Sequence, residues 1–353
     1  MSATFATSIM SRAHDDDPPS EDVIVVGTYP PRRCGLATFT ANTRRGLLAA
    51  RSGRVDVLRL GADSPPGGQP AEVAACWDDD LGPAAAAARC DGYACVLLEH
   101  EFGIFPGRDG EDVLPFVEHL SVPLVTVLHT VLVDPSGHQR AIIEALGRHS
   151  DRLVVLAPSA ADRLIERYDV DPSIVAVIPH GAEPNLGPGG AERGPLPMLL
   201  TWGLLGPGKG IEHAIKAVAI LAGRGRLVRY VVAGQTHPNV LATEGERYRD
   251  ALERLAGELG VRRLVEFDNR YRAWDEVFAQ IRAADIVVLP YDSREQVTSG
   301  VLVDALASGK PIVATAFPHA VDVVDARCGI VVAHEEPEAM AEAIERLLTD
   351  RRL

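Results

Sequence analysis

The chain has 353 residues, enough for two domains of ordinary size, each with its own core. Hydrophobic residues make up 46% and charged residues 24%, a soluble globular balance. The formal net charge of −14 argues against a nucleic-acid partner and against broad adhesion to anionic lipid, because both call for a basic surface.

Residues 1–21 carry His14-Asp15-Asp16-Asp17-Pro18-Pro19 and no apolar stretch of signal-peptide length, so a disordered tail is expected there. Short apolar, β-branched runs follow at Val23–Gly27, Val55–Leu60, Ala94–Leu98, Val122–Leu128, Arg152–Leu156 and Ile174–Ile178. A second series occupies Met198–Gly203, Val228–Ala233, Leu264–Phe267, Asp285–Leu289, Pro311–Thr315 and Gly329–Ala333. Nearly continuous apolar runs suit parallel strands buried on both faces. Between them lie helical stripes: Ile211, Ala214, Ile215, Val218 and Ala219 recur at i, i+3, i+4, i+7 and i+8, and Met340, Ala343, Ile344, Leu347 and Leu348 repeat that spacing. Strands alternating with helices predict α/β architecture with doubly wound, Rossmann-like parallel sheets.

The stretch Pro184-Asn185-Leu186-Gly187-Pro188-Gly189-Gly190, continuing through Gly194-Pro195, has no apolar period and reads as a linker. It predicts an N-terminal domain over 22–187 and a C-terminal domain over 188–353, with the active site in a cleft between them. The five cysteines (Cys34, Cys76, Cys90, Cys95 and Cys328) are scattered and form no C-x-x-C pair. Neither a disulfide framework nor a zinc site is expected, and a reducing cytoplasm fits. No run of about 18 apolar residues occurs, so no membrane span is expected.

Five loops follow predicted strands and carry candidate chemistry. In Gly27–Thr40, Gly35 lets a ligand approach the start of a helix expected near Ala37, whose free N–H groups suit phosphate or sugar oxygens; an ordinary βα loop is the structural alternative. His100-Glu101-Phe102-Gly103 pairs an acid and a base at a strand end, suited to hydroxyls but lacking a third ligand for a metal. His129-Thr130 ends another strand, and a lone histidine there is either a substrate contact or structural. Gly203-Leu204-Leu205-Gly206-Pro207-Gly208-Lys209-Gly210 places Lys209 beside a helix N-terminus, which suits a diphosphate. It is no Walker loop, since Gly210 stands where Ser or Thr is required. In Glu295-Gln296-Val297-Thr298-Ser299-Gly300, Thr298 or Ser299 either caps the next helix or, with the N–H groups there, binds oxygens. Asp304, one turn further on, suits a ribose diol or is merely solvated.

Taken together these loops resemble glycosyltransferase family 4, the group 1 enzymes of GT-B fold. The resemblance covers roughly residues 22–350 and is strongest at the Gly35 loop, Val177-Ile178-Pro179-His180-Gly181, Gly203–Gly210 and Asp304–Thr315. It implies a sugar-nucleotide donor on the second of two facing domains, a glycan or small-molecule acceptor on the first, retention of anomeric configuration, and no required metal or other cofactor. Lys209 matches the family's diphosphate-binding lysine, His129 a histidine that reaches the donor sugar, and Gly35 the glycine loop beside the diphosphate. With Gly203, Thr298, Ser299, Gly300 and Asp304 around the nucleotide, the residues implied at the sugar are His129 and either Glu295 or Gln296.

Two departures stand out. The family's arginine after the first glycine of the lysine loop is replaced by Leu204, with Arg270, Arg272 and Arg294 as candidate substitutes. The family's two glutamates, separated by seven intervening residues, are replaced by Gln296 and Asp304, with Glu295 adjacent. A branch with Glu-Gln-x-Thr-Ser-Gly followed by Pro-His-Ala resembles this chain, which implies GDP-mannose as donor, with UDP-sugars close behind, and puts His319 near the donor. Base recognition is expected near Asp268–Arg272. The alternatives are a non-catalytic sugar-nucleotide-binding protein of the same fold and a GT-B sugar-nucleotide epimerase.

Overall fold

A computed structural model describes residues 21–32, 34–50, 53–61, 68–78, 80–187, 194–270 and 272–350. Apart from Glu21, the expected N-terminal tail lies outside these residues. The chain divides into two compact units, residues 1–179 and 180–353.

The first unit holds seven strands: β1 (Val23–Gly27), β2 (Val55–Leu60), β3 (Val73–Trp77), β4 (Cys95–His100), β5 (Leu124–Leu128), β6 (Arg152–Val155) and β7 (Val175–Val177). All pair in parallel, in the order β3-β2-β1-β4-β5-β6-β7. Helices α1 (Gly35–Ala50), α2 (Pro83–Ala88), α3 (Val113–Glu118), α4 (Gly137–His149) and α5 (Pro158–Arg167) connect them. Ile24, Val25, Val26, Val57, Leu58, Val96 and Leu98 are fully buried, as strands covered on both faces require. β3 is the strand the sequence does not announce: it is an edge strand whose centre, Ala74-Ala75-Cys76, lacks the β-branched residues that mark the others.

The second unit holds β8 (Met198–Trp202), β9 (Arg229–Ala233), β10 (Val265–Asp268), β11 (Ile286–Leu289), β12 (Ile312–Thr315) and β13 (Gly329–Val332), parallel in the order β10-β9-β8-β11-β12-β13. Its helices are α6 (Ile211–Gly223), α7 (Pro238–Glu244), α8 (Arg247–Glu258), α9 (Trp274–Ala283), α10 (Gly300–Ala307), α11 (Pro318–Val323) and α12 (Pro337–Thr349). The two stripes read from the sequence lie on α6 and α12 and share one core, in which Ile211, Ile215, Val218, Met340 and Ile344 are fully buried. Each such side chain contributes roughly 1.5–3 kcal/mol relative to exposure, so these stripes fix both helices on the sheet.

The domain boundary expected between residues 187 and 188 falls instead between Pro179 and His180. The reason is Asn185, which is buried and tied into the second unit. Its N–H donates to Ala307 O at 3.0 Å, its Nδ2 donates to Ser308 Oγ at 2.9 Å and to Phe278 O at 3.1 Å, and Arg282 donates to its Oδ1. Residues 188–193 of the expected linker lie outside the described residues.

Candidate active site

In each sheet the strand order reverses direction once, between β1 and β4 in the first unit and between β8 and β11 in the second. Loops at the carboxyl ends of the strands flanking such a point part and leave room for a ligand. All the candidate motifs except His129-Thr130, which follows the neighbouring β5, emerge beside one of these two points.

In the second unit the lysine loop is shaped by backbone crowding. Gly210 has φ +61°, and a Cβ there would lie 1.8 Å from Pro290 O. Gly234, after β9, has φ +138°, and its Cβ would lie 1.9 Å from Gly203 O. Gly210→Ala is therefore expected to lose roughly 2–4 kcal/mol of stability, read from the midpoint of a urea melt; an unchanged midpoint would show that the crowding relaxes at no cost. The Asp292 N–H donates to Gly208 O at 3.0 Å and ties this loop to the chain leaving β11.

Lys209 carries its ammonium 4.4 Å from the centroid of the buried Tyr291 ring. Among the described residues it forms no ion pair. A cation held over a ring face keeps its N–H groups free to donate to a ligand. The candidate substitutes for the arginine absent at Leu204 behave differently. Arg270 and Arg272 both donate to Asp268, whose carboxyl they hold well below the usual carboxylate range. Both guanidinium groups are therefore already engaged by carboxylates, Arg272 also lying 3.8 Å from Glu276. Arg294 is exposed and forms no ion pair among the described residues.

After β11, Ser299 is the N-cap of α10: its hydroxyl accepts from the Leu302 N–H at 3.3 Å. Its own N–H donates to Nδ1 of His319 at 2.8 Å, while the His319 N–H donates to Gln296 O at 3.3 Å. His319 is buried, and burial lowers its pKa. It thus braces the loop that carries Gln296 and Ser299. Ser299 likewise uses both its hydroxyl and its amide internally, leaving the Gly300 and Val301 N–H groups, which precede the first helical bond from Val303 N to Ser299 O. Thr298 keeps a buried hydroxyl with no hydrogen-bond partner. A Cβ on Gly300 would lie 3.5 Å from Nε2 of His180, so the His180-Gly181 motif borders the same helix start.

Gln296 is half-buried, and its Nε2 donates to Thr298 O at 3.1 Å, whereas Glu295 is exposed. Asp304 is half-buried on α10, and its carboxylate has no hydrogen-bond or ion-pair partner among the described residues. Burial alone pushes its pKa up to about 7. One grouping among the described residues has the spacing to hold a metal ion: Glu212, His213 and Asp292 offer ligand atoms within 4.8 Å of one another. His213 Nε2 lies 3.4 Å from Asp292 Oδ1, and Tyr248 donates to Glu212 at 2.8 Å.

In the first unit α1 begins at Gly35, two residues before the expected start, and a Cβ there would meet nothing within 4 Å. Space for a ligand therefore opens at this helix N-terminus. The sequence pairs His100 with Glu101; the structure separates them. Successive residues of a strand point to opposite faces, and His100 turns into the core against Phe102 and Phe105. It is fully buried, neither ring nitrogen has a hydrogen-bond partner among the described residues, and burial lowers its pKa to about 3, so it is neutral. Glu101 accepts from the Thr130 hydroxyl. The residue the sequence reading missed is Glu99. It is fully buried on the opposite face, and its Oε2 lies 2.8 Å from Nε2 of His129. The available signal was a lone carboxylate in an apolar strand, two residues before Glu101.

Two doubly wound parallel sheets, each with its candidate loops beside a reversal of strand order, define a GT-B fold. The solved structures agree on the fold. Anabaena HepE in complex with UDP superposes with a TM-score of 0.73 at 17% identity, covering 93% of this chain and 90% of that one. Sucrose-phosphate synthase from Thermosynechococcus elongatus gives 0.72 at 16% identity, covering 94% and 90%. Residues 197–350 match the family model described as glycosyl transferases group 1. Among curated proteins, the D-inositol 3-phosphate glycosyltransferase of Corynebacterium diphtheriae is 31% identical over 258 residues, 65% of this chain and 58% of that protein. The protein of the same name from Stackebrandtia nassauensis is 30% identical over 294 residues, 75% and 63%. The chain spans about three fifths of the length of these relatives. The C-terminal unit is thus similar to the group 1 glycosyl transferases.

Proposed function

We propose that this chain is a retaining glycosyltransferase that moves a hexose from a sugar nucleotide to a hydroxyl of a glycan or small-molecule acceptor. The observation that carries the reading is Lys209: an ammonium poised over Tyr291 with no acidic partner among the described residues, next to the point where the second sheet reverses its strand order. In this reading Lys209 and the Gly300 and Val301 N–H groups stabilise the departing diphosphate, and preorganised charge of that kind is often the largest catalytic term. Asp304 holds the ribose. The Gly203 loop carries the diphosphate, and Glu295 or Gln296, with His129, orients the sugar. The acceptor hydroxyl approaches the face the leaving group departs from, the diphosphate takes its proton, and no side chain forms a covalent bond to the sugar.

GDP-mannose is the donor we favour from the Glu-Gln-x-Thr-Ser-Gly branch, with UDP-sugars as its rivals. The relatives' names, which specify D-inositol 3-phosphate, support a polyol hydroxyl as acceptor. Lys209 and a helix start provide the positive field, so the reading needs no metal. No helix among the described residues is long and apolar enough to cross a membrane, and the free state of all five cysteines supports a cytoplasmic place.

A thermal-shift screen of UDP, GDP, ADP and their sugars tests this, followed by assay of nucleoside diphosphate release with and without EDTA. A ligand at a hundred times its Kd adds about 2.7 kcal/mol, several degrees in melting temperature. One base class is expected to raise the melting temperature, and its sugar nucleotide to release diphosphate at a rate EDTA does not change. Stabilisation without release would favour the non-catalytic binder, for which Leu204 in place of arginine is the supporting observation. Conversion of the donor with no acceptor present would favour the epimerase.

A further inference from the structure

Glu99 has an unusual position for a carboxylate. It is fully buried on β4, and one of its oxygens, Oε1, has no hydrogen-bond partner among the described residues. Burying such a group is costly unless its surroundings compensate. The sequence makes room for it: Gly27 ends β1 beside it, and a Cβ on Gly27 would come within 3.1 Å of Glu99 Cβ. Beyond Gly27, its register partner Arg59 on β2 is also fully buried, with Nε and Nη1 unpartnered among the described residues. A carboxylate and a guanidinium thus flank a glycine at the reversal of strand order in the first sheet. The remaining Glu99 oxygen meets His129.

We infer that Glu99 is a positioning residue that acts through His129; the inference rests on the role proposed above for that histidine. Glu99 Oε2 accepts the Nε2–H of His129 at 2.8 Å. In a neutral imidazole the proton then sits on Nε2, and Nδ1 is left as an acceptor for a sugar hydroxyl. Two further contacts fix the ring. Phe39 of α1 meets it edge-on with centroids 4.6 Å apart, and the His129 backbone N–H donates to His100 O at 3.1 Å. Only 9% of the side chain is exposed, so the ring has one edge to offer, and Glu99 decides which nitrogen that edge presents.

The experiment compares Glu99→Ala and Glu99→Gln in the full chain. Glutamine keeps an oxygen that accepts the Nε2–H; alanine does not. In 15N-histidine-labelled protein, the His129 ring signals should report an Nε2–H tautomer in the wild type and in Glu99→Gln, and a tautomer mixture in Glu99→Ala. With the donor identified by the screen above, kcat of Glu99→Ala should fall roughly tenfold to a hundredfold, the range seen when a carboxylate that orients a metal-bound histidine is removed. Nucleoside diphosphate affinity should stay within twofold, and Glu99→Gln should recover most of the rate. In a His129→Ala background, Glu99→Ala should add no further loss. Unchanged ring signals in Glu99→Ala, or losses that simply add, would overturn the inference. The ring signals need no turnover, so failure of the transferase reading is seen separately, as absence of diphosphate release in the wild type.

Discussion

Replacing Lys209 with alanine is expected to lower kcat about a hundredfold to a thousandfold, the size of effect seen when one preorganised donor to a developing anion is removed. Stability should barely move. The substitution forfeits one cation–π contact with Tyr291, worth about 0.5–1 kcal/mol at a partly exposed site, and breaks no ion pair among the described residues. The melting temperature should therefore fall by about 2–4 °C at most. The two numbers together carry the test, because a lysine kept for packing would show the reverse pattern. Leu204 sharpens it: with no arginine beside Lys209, and with Arg270 and Arg272 already paired to Asp268 and Glu276, few cations remain to compensate for the loss. Calorimetric titration with the nucleoside diphosphate should show weaker binding in parallel. A Lys209→Ala protein whose kcat stays within twofold of the wild type would remove this residue from the reaction.

The fold was legible because its main signal is local. Buried parallel strands demand runs such as Ile24-Val25-Val26 and Ile286-Val287-Val288, and helices laid on them demand stripes such as Ile211, Ile215 and Val218; both periods survive in one dimension. β3 was not legible because an edge strand is covered less and tolerates alanine. The lysine loop was legible because glycine at positive φ leaves few substitutes, as at Gly208 and Gly210. The pairing of Glu99 with His129 was not, since it joins residues 30 apart across adjacent strands, and no spacing in the sequence encodes which of Glu99, His100 and Glu101 faces which side. The bond between Ser299 and His319 was hidden for the same reason, since it spans 20 residues.

Asp304 gives the second large effect, and its sign follows from burial. Its pKa stands at about 7 because burial disfavours the charged form and no partner restores it. A ribose diol donates hydrogen bonds to a carboxylate, so the nucleotide prefers the ionised form. Binding below pH 7 must then release a proton, and affinity should fall by up to about tenfold for each pH unit below 7, with a plateau above it. In Asp304→Asn the slope should vanish, leaving affinity at one pH-independent, weaker value. Stability should show the opposite trend in the free protein. Between the ordinary carboxyl value of 3.8 and about 7, the folded chain binds more protons at this position than the unfolded chain does. Stability from this group therefore declines as pH rises through that window, by on the order of a few kcal/mol, and the decline is complete above 7. Asp304→Asn should be the more stable protein above pH 7 while binding nucleotide less tightly there. Titrations of nucleoside diphosphate from pH 5.5 to 8.5, paired with urea melts, measure both trends. An asparagine variant that keeps the wild-type pH slope would place the titrating group elsewhere and leave Asp304 as a solvated helix residue.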